Sequence, residues 1–192
     1  LPMLNQGYYN LNISIDNQQT NCPLIFAPNK CYTSQEASKE KMWGYTAQLY
    51  SLRSNNNWGM GDFSDLFTLV EYSAKQQAST IGLNPLHPLY QQNPAHRSPY
   101  SPSSRSFLNP LYIDVSKVAN FELCDVVQAK FNHQEFQKSL AEARENQWVD
   151  YPAVAKLKYE ITELLFTDFC NHKEGVYKLM SSQFEKFKLK HG

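Results

Sequence analysis

The feature that most constrains this chain is a proline-rich segment, residues 81–114, that opens with a short apolar run. Ile81, Gly82 and Leu83 are typical of a buried strand. Prolines then follow at positions 85, 88, 94, 99, 102 and 110. Proline fixes φ and lacks a backbone donor, so this segment suits neither a helix interior nor a central strand. The sequence therefore predicts a stiff loop that leaves the carboxyl end of a strand.

Polar and aromatic side chains lie between these prolines, among them Asn84, His87, Ser98, Tyr100 and Asn109. Amides, hydroxyls, an imidazole and an aromatic ring on a stiff backbone suit a polar, ring-shaped ligand such as a sugar. The alternative is a surface turn with ordinary capping serines, since proline and serine are common in loops. The residues alone leave both interpretations open.

Four motifs in this part of the chain occur in the order and spacing of a known enzyme family. They are NWGMGDFSDL (57–66), GLNPLHPL (82–89), SPYSPSSR (98–105) and NPLYID (109–114). Together they resemble the bacterial amylomaltases, which are 4-α-glucanotransferases related to the α-amylase clan. The resemblance extends upstream through MWGYTAQLYSLRS (42–54) and downstream through VDYPAVAKLKYEI (149–161), so it covers most of the chain.

The apolar patterning predicts a strand, a helix and a second strand in succession. Residues 42–52 are rich in Tyr, Thr and Leu, as buried strands are. Asp62 or Ser64 caps a helix that runs to about Ala78, and residues 80–83 form the next strand. A βαβ unit implies parallel strands, and its repetition opens a (β/α)8 barrel. A full barrel needs about 250 residues, so only its first quarter is expected here.

Further elements are predicted on either side of this unit. Residues 7–15 alternate apolar and polar side chains, and residues 22–28 supply a returning strand, with Asp16 and Asn17 in the turn. Three helices are predicted after the proline-rich segment, at 134–146, from Asp150 to about Phe169, and at 174–188. The second of these has the strongest apolar stripe.

The fold class expected from patterning and resemblance is α/β: the opening part of a (β/α)8 barrel with a helical insertion, preceded by the last β-hairpin of a β-sandwich domain. The expected boundaries are 1–30 for the hairpin, 31–41 for a linker, 42–114 for the first two β/α units with the substrate loop, and 115–192 for the insertion. The chain begins at Leu1 in mid-pattern, which indicates a piece of a longer polypeptide.

Charge and cysteine content limit the partners. The chain has 18 basic and 18 acidic residues, so neither nucleic acid nor an anionic membrane is implied. The four cysteines, at 22, 31, 124 and 170, suggest reduced thiols in a cytoplasmic protein, with a Cys22–Cys31 bridge as the minor alternative. No signal peptide, membrane-length run, metal-ligand cluster or phosphate loop is apparent, so no cofactor is expected.

The resemblance implies a retaining transfer of α-1,4-glucan segments between maltodextrins, using two carboxyl groups. In the family these groups come from later strands, and no stretch of this chain matches those motifs. Asp62, Asp65 and Asp114 are therefore interpreted as helix-start or structural residues, and the piece alone is expected to be inactive. Its expected partners are maltodextrin, the remainder of its own polypeptide and, through exposed strand edges, a second copy. The alternatives are a non-catalytic α-glucan-binding module and a purely structural fragment.

Four residues are predicted to bind substrate. Tyr100, in the SPY motif, corresponds in the family to a tyrosine that stacks on the sugar at the point of cleavage. Ser98 bonds a sugar hydroxyl or braces the loop. His87 approaches the donor sugar or is hydrogen-bonded inside the barrel mouth. Asn109 contributes to the site or fixes the turn that follows it.

Three further residues have two possible roles each. Trp58 either faces the acceptor end of the groove or packs against the first helix. Arg53 and Arg105 are expected to pair with carboxylates or backbone carbonyls and so to hold the loops.

Overall fold

The structure is a computed structural model that describes residues 4–16, 18–31, 41–93, 95–175 and 177–191. The chain forms two compact units, Leu1–Met42 and Trp43–Gly192. The first unit contains an antiparallel pair of strands, and the second contains a parallel pair together with the helices. The secondary structure is thus mixed α and β, as the patterning predicts.

The first unit is a β-hairpin. Strand β1 spans Gly7–Ile15 and strand β2 spans Gln18–Phe26, with Ile15 opposite Gln18. The hairpin prediction is confirmed, but β2 begins four residues before the apolar run at Cys22, because the polar residues 18–21 pair fully with β1. The predicted half-burial holds only near the start of β1, since its last four residues are exposed.

Two predictions for this unit involve residues outside the described ranges. Asn17 of the turn is one of them, while its neighbour Asp16 has a left-handed φ of 52°, as tight hairpin turns require. The other is the linker, of which residues 32–40 lie outside the description. Cys22 and Cys31 are free thiols, as are Cys124 and Cys170.

The second unit begins with a βαβ unit. Strands β3 (Gly44–Ala47) and β4 (Thr80–Leu83) pair in parallel, and helix α1 (Phe63–Lys75) connects them. The predicted strand–helix–strand order and the parallel pairing are confirmed. Asp62 is the N-cap, and its side chain accepts from the Asp65 amide while Asp65 accepts from the Asp62 amide, a reciprocal capping box.

The first strand and the first helix are both shorter than predicted. Strand β3 ends at Ala47 because Leu49 turns into the core, where it is fully buried within a short 3-10 turn, Leu49–Ser51. Helix α1 ends at Lys75, three residues before Ala78, because Gln77 adopts a left-handed φ of 60° that no helix can continue through.

Four further helices follow the proline-rich loop. Helix α2 spans Asp125–Phe131, α3 spans Gln134–Glu145, α4 spans Tyr151–Asn171 and α5 spans Lys178–His191. The predictions for α3 and α4 are confirmed, with Asp150 accepting from the Ala153 amide as the cap of α4. Helix α5 starts four residues later than predicted. None of the helices in the described ranges is long and apolar enough to cross a bilayer.

Trp58 ties the loop after β3 to the helices α2 and α3. Its side chain is 2% exposed, and its ring stacks on Phe131 and meets the edge of Phe136, both at 5.6 Å between centroids. The aromatic neighbours of Trp58 thus belong to α2 and α3, which were not part of either role considered for it from the sequence. Trp58 anchors the main core, whose other members include Val127, Leu140, Ile161 and Leu165.

Gly59 allows the loop after β3 to pack closely against α3. Its φ is +84°, and a Cβ added there would lie 2.5 Å from the Ala143 carbonyl oxygen of α3. Gly59→Ala should therefore lower the free energy of unfolding by about 2 kcal/mol, through backbone strain and the collision with α3. Gly175→Ala is the matched control, because a Cβ there makes only an ordinary 3.6 Å contact. Equal urea midpoints for the two variants would contradict the prediction.

Candidate functional site

The loop between β4 and the 3-10 turn Pro110–Tyr112 is folded back on itself. The Ser103 amide donates to the Pro88 carbonyl at 2.9 Å, and the Ser103 hydroxyl lies 3.1 Å from the carbonyls of Pro88 and Leu89. The Asn109 amide donates to the Leu86 carbonyl at 2.8 Å. These hydrogen bonds join the outgoing and returning arms of the loop. The loop is therefore held by hydrogen bonds between its arms as well as by its prolines.

Tyr100 lies in a turn at the far end of this loop. The Ser101 amide donates to the Ser98 carbonyl at 3.2 Å, which closes the turn, and the Tyr100 side chain is 66% exposed. A large aromatic side chain held outward on a closed turn presents its ring face without first having to leave a packed environment. Ser98 is exposed beside it.

His87 is half-buried on the outgoing arm. Its Nδ1 atom is buried, and among the described residues no hydrogen-bond partner reaches it. The same is true of His96, whose ring meets the edge of Tyr90 at 5.2 Å between centroids. A buried ring nitrogen without a hydrogen-bond partner costs free energy, and an ordered water is the usual partner of such an atom.

Asn109 fixes the end of the loop. Its side chain is buried, and its Oδ1 accepts from the Leu111 amide at 3.0 Å, which starts the 3-10 turn. This is the turn-fixing role considered for it from the sequence. A direct contact with substrate stays a prediction.

A buried lysine anchors the returning arm to helix α4. The Lys158 side chain is 1% exposed, and its Nζ donates to the carbonyls of Leu111 at 2.7 Å and Ile113 at 2.8 Å. Asp62, at the start of α1, lies 4.0 Å from the same atom. One ammonium group therefore joins the loop, α1 and α4 at a single buried point.

Burial acts on both members of this pair in opposite senses. Burial lowers the pKa of the Lys158 amino group to about 8, although the negative charge of Asp62 raises it. Burial raises the pKa of the Asp62 carboxyl, although the positive charge of Lys158 lowers it. In both cases the cause is loss of hydration of the charged form, which the partner only partly offsets.

The three aspartates near the start of α1 are engaged in structural bonds. Asp62 and Asp65 form the capping box described above, and Asp65 also accepts from the side-chain Nδ2 of Asn57 at 2.8 Å. Asp114 accepts from the hydroxyls of Ser64 and Ser116, both at 2.5 Å. Their interpretation as helix-start or structural residues is confirmed by these contacts.

These aspartates line a cavity of about 770 Å³, together with Arg53, Trp58 and Arg144. Arg53 donates to the carbonyls of Gly59 and Asn146, as predicted for a loop-holding arginine. Arg144 donates to the carbonyls of Asn56 and Asn57. Most of the polar lining of this cavity is thus committed to holding loops. Within the residues that the structure describes, no three His, Cys, Asp or Glu side chains gather as metal ligands would.

Sequence reasoning missed Lys158. The residue lies four positions after Val154 and three before Ile161, within the apolar stripe of α4. A lysine at such a position either extends its ammonium group to solvent or bonds a buried acceptor. That placement was the available signal, but the sequence does not reveal which carbonyls accept.

Three comparisons relate the chain to known proteins. The family model described as 4-alpha-glucanotransferase matches residues 47–192. The 4-alpha-glucanotransferase of Haemophilus influenzae is 43% identical over 176 residues, which are 92% of this chain and 25% of that protein. The 4-alpha-glucanotransferase of Mycobacterium tuberculosis is 31% identical over 169 residues, which are 81% of this chain and 23% of that protein.

A solved structure agrees with these sequence matches. The crystal structure of amylomaltase from Corynebacterium glutamicum superposes with a TM-score of 0.67 at 28% identity, covering 85% of this chain and 23% of that one. The chain thus spans about a quarter of the length of these relatives.

Proposed function

Because the chain belongs to the 4-alpha-glucanotransferase family, we propose that it is the part of a 4-α-glucanotransferase that holds the maltodextrin substrate. The complete protein transfers α-1,4-glucan segments from one maltodextrin to another. The observation that carries this proposal is the match of residues 47–192, which contains the stiff loop and its exposed Tyr100.

The proposed chemistry is a retaining double displacement. One carboxylate attacks the anomeric carbon and forms a glycosyl-enzyme, while a second carboxylic acid protonates the leaving oxygen. That second group then takes the proton of the incoming sugar hydroxyl, which attacks the anomeric carbon and releases the first carboxylate. The two groups would lie roughly 5 Å apart. The structural engagement of Asp62, Asp65 and Asp114 supports a source elsewhere in the polypeptide.

The roles proposed for the loop residues follow from their placement. Tyr100 stacks its exposed ring on the apolar face of the glucosyl residue at the point of cleavage. Ser98, exposed beside it, bonds a sugar hydroxyl, and the half-buried His87 approaches the donor sugar. Asn109 acts mainly by fixing the loop that carries them.

The proposed architecture assigns the βαβ unit to the first two β/α units of a (β/α)8 barrel, residues 42–114, with residues 115–192 as a helical insertion. Residues 1–30 would end a β-sandwich, and 31–41 would be a linker. Exposed apolar side chains on α1, Phe67 and Val70, support further elements packing there. The isolated piece should therefore associate with itself or with the rest of its polypeptide. Its four free thiols suit the cytoplasm.

One experiment tests whether the reacting carboxylates lie inside or outside residues 1–192. The purified 192-residue chain should release no glucose from maltotriose, whereas the complete polypeptide should do so, because the reacting carboxylates lie outside residues 1–192. A fluorinated glucosyl donor that traps the glycosyl-enzyme would then locate the labelled peptide by mass spectrometry.

The trapping result decides among the candidate functions. A label outside residues 1–192 is expected. A label on Asp62, Asp65 or Asp114 would overturn the assignment of the carboxylates. Binding of maltoheptaose by a complete polypeptide that neither transfers glucan nor becomes labelled would favour a non-catalytic glucan-binding module.

A further inference from the structure

Helix α5 lies outside the hydrophobic core of the second unit. None of the residues of Lys178–His191 is buried, and the side chains of Leu179 and Leu189 are 74% and 89% exposed. An apolar cavity of about 350 Å³ lies between α5 and α4, with Met180 and Phe184 on one side and Phe166 on the other. The position of α5 is therefore set by a few separate contacts and not by continuous packing.

Two of these contacts attach the start and the middle of α5 to α4. Tyr177 directly precedes the helix, and its hydroxyl donates to Oδ2 of Asp168 at 2.6 Å. In the middle of the helix, the Phe184 ring meets Phe166 and Phe169 at 5.9 Å and 5.7 Å between centroids. These contacts fix α5 against α4 and leave the side chains of its last turns free to contact another part of the chain.

The last turns of α5 contact the proline-rich loop. The Phe107 ring, on the returning arm, lies 6.4 Å from the Phe187 ring and 6.0 Å from the His191 ring, both in edge-to-face geometry. The rings of Phe187 and His191 lie 5.0 Å from each other. All three distances are typical of attractive aromatic pairs. The end of α5 thus packs against the loop that carries Tyr100.

Phe107 lies in the part of the returning arm that its hydrogen bonds leave unattached. The amides of Ser103 and Asn109 bond the outgoing arm, one on each side of this part. Among the described residues, positions 104–108 contribute one hydrogen bond, from the Ser106 amide to the Ser104 hydroxyl, and it is local. Phe107 therefore gives this stretch a tertiary contact that its hydrogen bonds do not supply.

We propose that Phe187 and His191 are positioning residues, which hold the returning arm through Phe107 and so keep the turn with Tyr100 in the arrangement that receives the sugar. The inference rests on the proposed role of Tyr100 and extends it to a helix outside the candidate site. The rings of α5 do not touch the substrate. They act on the fraction of molecules in which the loop is ordered for binding.

Steady-state kinetics of the complete polypeptide provide the first test. Phe187→Ala should raise the KM for maltotriose about fivefold, because loss of an aromatic pair shifts an equilibrium by about twofold to about tenfold and apparent affinity falls with the binding-competent fraction. The kcat should stay within about twofold, since the loop has its wild-type arrangement once the sugar is bound.

A second background separates positioning from general stability. In Tyr100→Ala, adding Phe187→Ala should change the KM by less than about twofold, because the ring that α5 positions is already absent. A general loss of stability would instead act equally in both backgrounds. Phe187→Tyr keeps the ring and should restore the wild-type KM. Leu189→Ala is the matched control, because it removes an exposed apolar side chain from the same helix.

Hydrogen exchange gives a readout that does not depend on activity. The Ser103 and Asn109 amides bond the outgoing arm at 2.9 Å and 2.8 Å. In Phe187→Ala their exchange should be about fivefold faster than in the wild type, because the arm opens more often without its contact to α5. Amides in the middle of α4 should exchange at the wild-type rate. Mass spectrometry of the loop and α4 peptides measures both.

The outcomes separate this inference from the proposed function. An unchanged KM or an unchanged exchange rate in Phe187→Ala would overturn it, as would an equal rise in KM in both backgrounds. If the wild type transfers glucan and Tyr100→Ala impairs the transfer while Phe187→Ala does not, the positioning role alone fails. If the wild type transfers no glucan, the proposed function fails, and the role of α5 in the reaction fails with it.

Discussion

Tyr100→Ala is expected to lower kcat/KM for maltodextrin transfer by about 100-fold in the complete protein, a loss of roughly 2.7 kcal/mol of transition-state stabilisation. The ring is 66% exposed and lies on a turn closed by the Ser98–Ser101 backbone bond, so its removal should leave the loop in place. The unfolding temperature should therefore match that of the wild type while steady-state transfer between maltotriose molecules falls.

The conservative variant identifies the part of the side chain that matters. Tyr100→Phe keeps the ring and should retain activity within about threefold, because stacking on the sugar does not need the hydroxyl. A Tyr100→Ala variant with wild-type kcat/KM would contradict the role proposed for the loop. Low activity together with a large fall in unfolding temperature would show instead that the ring supports the fold.

Lys158→Met is expected to lower the free energy of unfolding by about 3–5 kcal/mol, the range found when one partner of a buried ionic pair is removed. The change leaves the carbonyls of Leu111 and Ile113 without their donor and Asp62 without its counter-charge. Lys156→Met is the matched control, because Lys156 lies on the same helix with an exposed side chain. Urea denaturation of the wild type and the two variants measures the difference.

The burial of Lys158 should also be visible in how the free energy of unfolding depends on pH. Burial holds the pKa of Lys158 at about 8 in the folded chain, against an ordinary value of 10.5. Between these values the unfolded chain binds a proton that the folded chain does not, so this group makes the free energy of unfolding rise with pH. The rise should be visible from about pH 7.5 to about pH 9.5 in the wild type and in Lys156→Met, and absent in Lys158→Met.

At higher pH, two buried tyrosines are expected to reverse this rise in the free energy of unfolding. Burial raises the pKa of Tyr112, and it raises the pKa of Tyr151 to about 12. Above pH 10 the unfolded chain therefore loses phenolic protons that the folded chain keeps, and stability falls with pH. A wild-type stability that is flat or falling between about pH 8 and about pH 9.5 would show that Lys158 is not held at a lowered pKa.

The elements that could be predicted from the sequence are those with local causes. The order β3, α1, β4 follows from apolar spacing, and the start of α1 follows from a capping box contained within Asp62–Asp65. Helix α4 carries its own N-cap, Asp150, and a long apolar stripe. Helix α2 lacks a side-chain cap at Cys124. Its sequence therefore contains no capping residue from which the start of the helix could be predicted.

The features that could not be predicted depend on contacts between residues distant in sequence. Lys158 bonds carbonyls 47 and 45 residues away, so its burial is decided by tertiary packing. Strand β3 is short because Leu49 is drawn into a core formed with Met60 and Leu111. In the candidate site, the proline spacing predicted a stiff loop, but the bonds of Ser103 that join its arms follow only from the folded path.

The most direct test of the account is the structure of the complete protein with a bound maltoheptaose. We expect a glucosyl ring stacked on the exposed face of Tyr100, with the reacting carboxylates supplied from outside residues 1–192. A sugar bound away from the proline-rich loop, with Tyr100 covered by other parts of the protein, would contradict the proposal that this chain holds the substrate.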